Sequence, residues 1–74
     1  ARESRWAEAQ AAYFEAVRGA PDNADYAYNL AVALDHLGQH DAARRHYRRA
    51  LELARGRAIE FSPEAVRRRL AQLD

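Results

Sequence analysis

The stretch ADYAYNLAVALDHLGQHDAARRHYRRALELA, residues 24–54, decides the fold of this chain. Apolar residues recur in it every three or four positions, which is the period of an amphipathic α-helix. Gly38 interrupts the pattern, and glycine commonly follows the last turn of a helix. The stretch therefore predicts two helices, over about 23–37 and 40–54, joined by a short turn as an antiparallel hairpin. The predicted inward residues are Ala27, Leu30, Ala31, Leu34, Leu37, Ala43, Tyr47, Ala50, Leu51 and Ala54.

A further helix is predicted upstream, over about 5–18. Ser4 is the expected N-cap of this helix, and Gly19 followed by Pro21 gives the expected order of residues at its end. Asp22 is then placed to cap the next helix, because a short polar side chain can accept a hydrogen bond from the first turn. The predicted inward face of the upstream helix consists of Trp6, Ala9, Tyr13, Ala16 and Val17.

The clearest helix start lies downstream, where Ser62 precedes Pro63. Serine is a favoured N-cap and proline is favoured at the first helical position, so a helix is predicted over about 63–73. Phe61, just before the cap, is expected to pack on Val66 as a hydrophobic staple. The inward seam of this helix is narrow and consists of Val66, Leu70 and Leu73.

The helical pattern repeats within the chain. Trp6-x2-Ala9-x3-Tyr13-x2-Ala16 recurs as His40-x2-Ala43-x3-Tyr47-x2-Ala50, at an offset of 34 residues. A self-match near this period is typical of stacked helical hairpins. We therefore predict an all-α chain of about four helices that forms a single domain over residues 1–74.

Residues 24–54 resemble the tetratricopeptide repeat (TPR) family, whose motif in outline is W-x2-L-G-x2-Y followed by A-x3-F. Tyr28-Asn29-Leu30-Ala31 reads like the family's usual Y-N-L-G. The resemblance implies antiparallel hairpins arranged in a right-handed superhelix. The positions that match the motif are Ala27, Leu30, Ala31 and Leu34 in the first part and Ala43, Tyr47 and Ala50 in the second.

Two positions depart from the family pattern. Arg55 stands where a closing proline is common, and Arg67 occupies a position of the last helix that the family fills with a small residue. A long charged side chain at Arg67 would keep a further helix from packing closely, so the last helix is expected to be a cap. The resemblance thus implies a half-repeat, one full repeat and a capping helix, at the C-terminal end of a longer protein.

The resemblance also implies a function, because the first helix of each TPR hairpin lines a groove that receives a partner protein or peptide. Asp25 and Asp35 would repel an acidic tail, so a ligand with a basic or apolar face is expected, with Tyr28 as its main contact. The expected partner-binding residues are Asp25, Tyr28, Asn29, Val32, Asp35 and His36, joined by Glu64, Arg68 and Gln72 of the last helix.

A second contact surface is predicted on the upstream helix. Ala7, Ala11 and Phe14 form a stripe outside its inward face. In a longer TPR array another helix would cover this stripe. Here it is expected to support a homodimer through Phe14, or docking against the rest of a parent protein.

Catalytic and cofactor chemistry are not indicated. The chain has no cysteine and no lysine, and its two serines, Ser4 and Ser62, are explained as helix caps. His36 and His40 are four residues apart, but Gly38 separates them, and no third ligand has metal-site spacing. We expect a chain that is not an enzyme and uses no metal or cofactor, and no apolar run is long enough for membrane insertion.

Three alternatives to a peptide groove stay open. The chain could be a structural end-cap without a ligand, or a self-association module. The third is nucleic-acid binding through the arginine-rich helix, although near-neutral net charge and the lack of interleaved aromatics weigh against it. The bland interpretation of that helix is a solvated face with an Arg48–Glu52 pair. The arginines concerned are Arg44, Arg45, Arg48 and Arg49.

All twelve basic residues are arginine, which is typical of GC-rich bacterial genes, but the cellular compartment is not indicated and could be the cytoplasm or the bacterial envelope.

Overall fold

The structure of the protein is a computed structural model that describes residues 2–74, with side chains from Ser4 onward. These residues form four α-helices and no strand: α1 (Arg2–Gly19), α2 (Ala24–His36), α3 (His40–Ala54) and α4 (Pro63–Leu73). α2 packs against both α1 and α3, and α4 packs against α3. The predicted all-α fold of helical hairpins is confirmed.

Two of the predicted N-caps were wrong. α1 begins at Arg2, so Ser4 lies inside the helix rather than at its N-cap. Arginine and glutamate are strong helix formers, and nothing in Arg2–Arg5 stops the helix from starting early. α2 is capped by Asn23 rather than Asp22, because the side chain of Asn23 accepts a hydrogen bond from the Tyr26 amide at 3.0 Å.

The turn between α2 and α3 depends on Gly38. Its φ of 78° lies in the left-handed region, which glycine adopts without steric cost. The amide of Gly38 donates to the Asp35 carbonyl at 3.0 Å, and the amide of Gln39 donates to the Leu34 carbonyl at 2.9 Å. This Schellman pair satisfies the last carbonyls of α2 and reverses the chain, so that α3 begins at His40.

α4 begins as predicted. Ser62 is its N-cap and accepts a hydrogen bond from the Ala65 amide at 3.3 Å, and Pro63 occupies the first helical position. Phe61 packs against the core cluster that contains Val66, so an apolar anchor precedes the cap, while the direct Phe61–Val66 staple stays a prediction. The start of α4 is therefore fixed by the cap and by an apolar anchor together.

Small residues allow the helices to approach closely. The fully buried alanines include Ala31, Ala33, Ala43 and Ala50, while Leu30 and Val66 are the largest side chains with almost no exposure. The main cluster consists of Leu30, Ala31, Leu34, Ala43, Tyr47, Val66 and Leu70, and a smaller one of Ala24, Ala27, Ala50 and Leu53. Ala24, Ala33 and Leu53 were not predicted to be buried, whereas Leu37, Leu51 and Ala54 are only half-buried.

The inward face predicted for α1 is half-buried, since its one packing partner is α2. No helix within residues 2–74 combines the length and the hydropathy that a membrane span requires.

Candidate functional site

A cleft of about 390 Å³ lies between α2 and the start of α4. The α2 side presents residues from the first half of that helix, where the Asn23 cap fixes the helix start. The opposite side is the end of the 55–62 loop together with the first turn of α4. The lining residues are Asp25, Tyr28, Asn29, Glu60, Phe61, Ser62 and Ala65.

Stacked aromatic rings connect the two sides of the cleft. The rings of Tyr28 and Phe61 are nearly parallel, at 6°, with centroids 4.6 Å apart. Tyr28 also contacts the buried ring of Tyr47, at 6.2 Å and a tilt of 55°. Because Tyr28 packs on both neighbours, its ring is held in one position and offers a rigid apolar surface with a polar hydroxyl.

The rim of the cleft is acidic. Asp25 lies in the first turn of α2, and its Oδ1 accepts a hydrogen bond from the Glu60 amide at 2.9 Å, which ties the 55–62 loop to α2. Glu60 itself is exposed. Among the described residues, the cleft lining contains these two carboxylates and no arginine or histidine. The local charge is therefore negative in a chain whose formal net charge is +1.

Asp35 sits at the other end of α2, where it joins three helices. Its carboxylate accepts two hydrogen bonds from Arg69 of α4, both at 2.6 Å, in the bidentate geometry that favours arginine–carboxylate pairs. It also accepts a hydrogen bond from the Tyr47 hydroxyl of α3 at 3.0 Å. The side chain of Asp35 is only 11% exposed, so little of its carboxylate is left accessible to a ligand.

The contacts of Asp35 shift its own pKa and the pKa of Tyr47. The hydrogen bonds from Arg69 hold the pKa of Asp35 below its ordinary value, against the opposing effect of burial, and the bond from Tyr47 acts in the same direction. Burial and the bond to Asp35 raise the pKa of Tyr47. At neutral pH Asp35 is therefore ionised and Tyr47 is a neutral donor.

Stability is expected to depend on pH through Asp35. Because its folded-state pKa is depressed, its contribution is fully present above the unfolded value of about 3.9 and is lost as pH falls through the folded value. Arg69, Tyr47 and His40, whose Nε2 lies 3.8 Å away, are the groups that face the carboxylate. Urea unfolding of the wild type and of Asp35→Asn should differ most above the unfolded pKa of about 3.9, and the difference should shrink as the pH falls below that value. A difference that grows as the pH falls below about 3.9 would contradict this.

The structure brings together only some of the residues expected to bind a partner. Asp25, Tyr28 and Asn29 line the cleft. Val32 is half-buried against the core, and Arg68 is exposed on α4. The exposed cleft-lining side chains that were not expected are Glu60 and Ala65, and Phe61 and Ser62 had been assigned only structural roles.

His36 does not line the cleft, and it borders a second cavity toward α1. Its imidazole stacks on the Trp6 indole of α1, with ring centroids 3.8 Å apart and an interplanar angle of 4°. Arg5, Trp6, Ala9 and His36 line a shallow cavity of about 480 Å³ at the α1–α2 edge. Trp6 lies on the predicted inward face of α1, and the sequence pattern alone does not indicate its partner.

The remaining predicted surfaces lie on α1 and α3. Phe14 is 50% exposed, and Ala7 and Ala11 are exposed beside it on α1. On α3, the expected Arg48–Glu52 pair was wrong. Arg48 donates to Asp74 at 3.0 Å, since the end of α4 lies beside α3, and Glu52 pairs instead with Arg49 at 3.4 Å.

Neighbouring acids thus engage much of the arginine face on α3.

Within the part of the chain that the structure describes, no group of three or more His, Cys, Asp or Glu side chains is arranged to hold a metal ion.

Comparison with known proteins gives one match. Residues 24–56 match the family model described as Tetratricopeptide repeat. No curated protein and no solved structure matches the chain significantly. The matched segment contains α2 and α3, so it includes the α2 side of the cleft and ends before the α4 side.

Proposed function

We propose that this chain is a protein-interaction scaffold that binds a peptide segment of a partner protein in the cleft between α2 and α4. The match of residues 24–56 to the tetratricopeptide-repeat model supports the proposal. The family is typically non-enzymatic, so its members act by holding partners. The observation that carries the proposal is the cleft itself, a concave site of about 390 Å³ with a fixed aromatic ring and polar groups around it.

Each α2 side chain in the cleft has a contribution suited to peptide binding. Tyr28 supplies a large rigid contact, and tyrosine is among the residues that dominate interface energies. The amide of Asn29 can both donate to and accept from the backbone of an extended peptide. Asp25 offers the carboxylate oxygen that the Glu60 amide does not use. The three together would fix the position of a short segment.

A longer ligand would extend along α2 beyond the cleft. In that case Val32, His36 and Arg68 would form flanking contacts, as the family resemblance implies. Asp35 has a different proposed role, because its oxygens are engaged by Arg69 and Tyr47. It would position α4, and therefore the far side of the cleft, without contacting the ligand.

One second candidate function has an observation in its favour. The half-exposed Phe14, with Ala7 and Ala11, supports self-association or docking through α1. Nucleic-acid binding gains no comparable support, because Arg44, Arg48 and Arg49 are already paired with acids of the same chain. An end-cap without a ligand is the alternative that the following experiment tests.

The cleft can be blocked without disturbing the core. Ala65 and Ala71 are both exposed alanines of α4, but only Ala65 lines the cleft. Linear peptides selected from a random library against the chain should lose at least about tenfold in affinity, or about 1.4 kcal/mol, on Ala65→Trp. They should bind Ala71→Trp as tightly as the wild type, measured by fluorescence anisotropy.

Two results would contradict this prediction. If Ala65→Trp and Ala71→Trp bind the selected peptides equally well, the binding surface lies elsewhere. If no peptide is selected at all, the end-cap interpretation replaces the proposed function. Circular dichroism of both variants serves as the control for folding.

A further inference from the structure

We propose, on the basis of the proposed function, that the ligand of the α2–α4 cleft presents a cationic side chain, an arginine or a lysine. This side chain would lie beside the Tyr28–Phe61 stack, with Asp25 and Glu60 as its counter-charges. The proposal specifies the chemistry of the partner: a basic segment rather than an acidic or purely apolar one.

The distribution of ion pairs carries the argument. Six carboxylates of the described chain lie within 4.0 Å of an arginine of the same chain: Glu15, Asp22, Asp35, Asp41, Glu52 and Asp74. Among residues 4–74 the carboxylates without an ion pair are Glu8, Asp25, Glu60 and Glu64. Asp25 and Glu60 line the cleft, and Glu64 lies next to the cleft-lining Ala65.

This concentration of unpaired acids at one site is notable because cations are abundant elsewhere. The chain has twelve arginines, yet none lines the cleft among the described residues. Arg57, in the adjoining loop, donates to the Asp22 carbonyl at 2.6 Å rather than to either cleft carboxylate. A cation supplied by a partner would therefore meet negative charge that the chain itself leaves uncompensated.

The aromatic stack adds a second reason. A guanidinium or ammonium group is attracted to the face of an aromatic ring when it lies within about 6 Å of the centroid, and arginine also stacks on such faces. Tyr28 and Phe61 line the same cleft as the two carboxylates. Aromatic surface next to carboxylates is a combination that suits arginine and lysine and disfavours glutamate or aspartate.

Helix electrostatics account for some of the carboxylates at the cleft. Carboxylates in the first turn stabilise a helix through its dipole, and this applies to Asp25 and Glu64. Glu60 precedes the Ser62 cap and lies outside the first turn of α4, so the dipole gives it little stabilisation. A cation on the ligand would interact favourably with the Glu60 carboxylate, which the helix dipole stabilises little.

The test uses short capped peptides that are identical except for a central arginine, lysine, norleucine or glutamate. Binding is followed by amide chemical shifts of the isotopically labelled chain. The arginine and lysine peptides are expected to bind about twofold to fivefold tighter than the norleucine peptide, and the glutamate peptide more weakly still. The preference should decrease as added salt shortens the screening length below ~10 Å.

Two double variants separate local from overall charge. Asp25→Asn with Glu60→Gln removes two charges at the cleft, and asparagine keeps an oxygen that can accept from the Glu60 amide. Glu8→Gln with Glu15→Gln removes two charges from α1. Only the first pair should abolish the preference for arginine and lysine over norleucine.

The outcomes distinguish this inference from the proposed function. If the norleucine peptide shifts the cleft amides as strongly as the arginine peptide, the cationic ligand is overturned while the peptide cleft stands. If none of the peptides shifts amides at the cleft, both are overturned. If the α1 variant reduces the preference as much as the cleft variant, the effect is overall charge, and the inference fails.

Discussion

Replacing Leu30 with alanine is expected to lower the free energy of unfolding by about 2–5 kcal/mol. Leu30 is 1% exposed and belongs to the cluster that joins α2 to Tyr47 of α3 and Val66 of α4. Removing its side chain leaves a cavity that the surrounding small residues cannot fill. Since the core of a domain this small supplies about 3–5 kcal/mol at most, much of the protein should be unfolded at ambient temperature.

The measurement is urea unfolding followed by circular dichroism. Phe14→Ala is the matched control, because it also truncates a large apolar side chain but at a site that is 50% exposed. Its expected change is within about 0.5 kcal/mol, as for most surface substitutions. Equal midpoints for Leu30→Ala and Phe14→Ala would show that the packing of α2 described above is wrong.

Asp35→Ala is expected to cost about 2–3 kcal/mol. The substitution removes the acceptor of the Tyr47 hydroxyl, on a residue that is 5% exposed, and it leaves Arg69 without its bidentate partner. Arg69 is partly exposed, so water recovers some of its hydrogen bonding and limits the cost. The loss should appear most strongly in α4, which Asp35 ties to the rest of the chain.

Amide hydrogen exchange gives the regional readout, and urea unfolding gives the total. Relative to the wild type, Asp35→Ala should accelerate amide exchange more in α4 than in α1. Asp41→Ala is the control, since Asp41 is an exposed aspartate whose partner, Arg44, lies one turn away on the same helix. If the two variants have the same stability and the same exchange in α4, the three-helix contact at Asp35 contributes nothing measurable.

The α2–α3 hairpin was predictable because several independent signals agree there. Leu30 and Leu34 keep the helical period, and Gly38 falls at the position that requires a left-handed conformation. The start of α4 was also predictable, because Ser62 and Pro63 form a local cap. These features depend on residues close in sequence, which is the range over which pattern reasoning works.

The start of α1 and the contacts of the acidic residues were harder to predict from the sequence. Nothing local distinguishes Ser4 as a cap from Ser4 inside a helix that begins earlier. Asp35 was expected to face a ligand, and the structure shows that Arg69, 34 residues away, occupies it instead. Residue type and helix face do not specify which distant cation a carboxylate will meet, since that depends on the packing of three helices.

The cleft illustrates the same limit. Its α2 side was expected from the family resemblance, through Asp25, Tyr28 and Asn29. Its other side comes from Glu60 and Phe61, whose positions depend on the path of the 55–62 loop. That path is held by the hydrogen bond from the Glu60 amide to Asp25 and by the stacking of Phe61 on Tyr28. Both are contacts between residues more than thirty positions apart.

The most direct test of peptide binding in the α2–α4 cleft is to map where a selected peptide binds, by amide chemical shifts of the labelled chain. The largest changes are expected to cluster at that cleft, at Asp25, Asn29, Glu60 and Ala65. The largest changes at Ala11 and Phe14 of α1, or along the arginine face of α3, would contradict it.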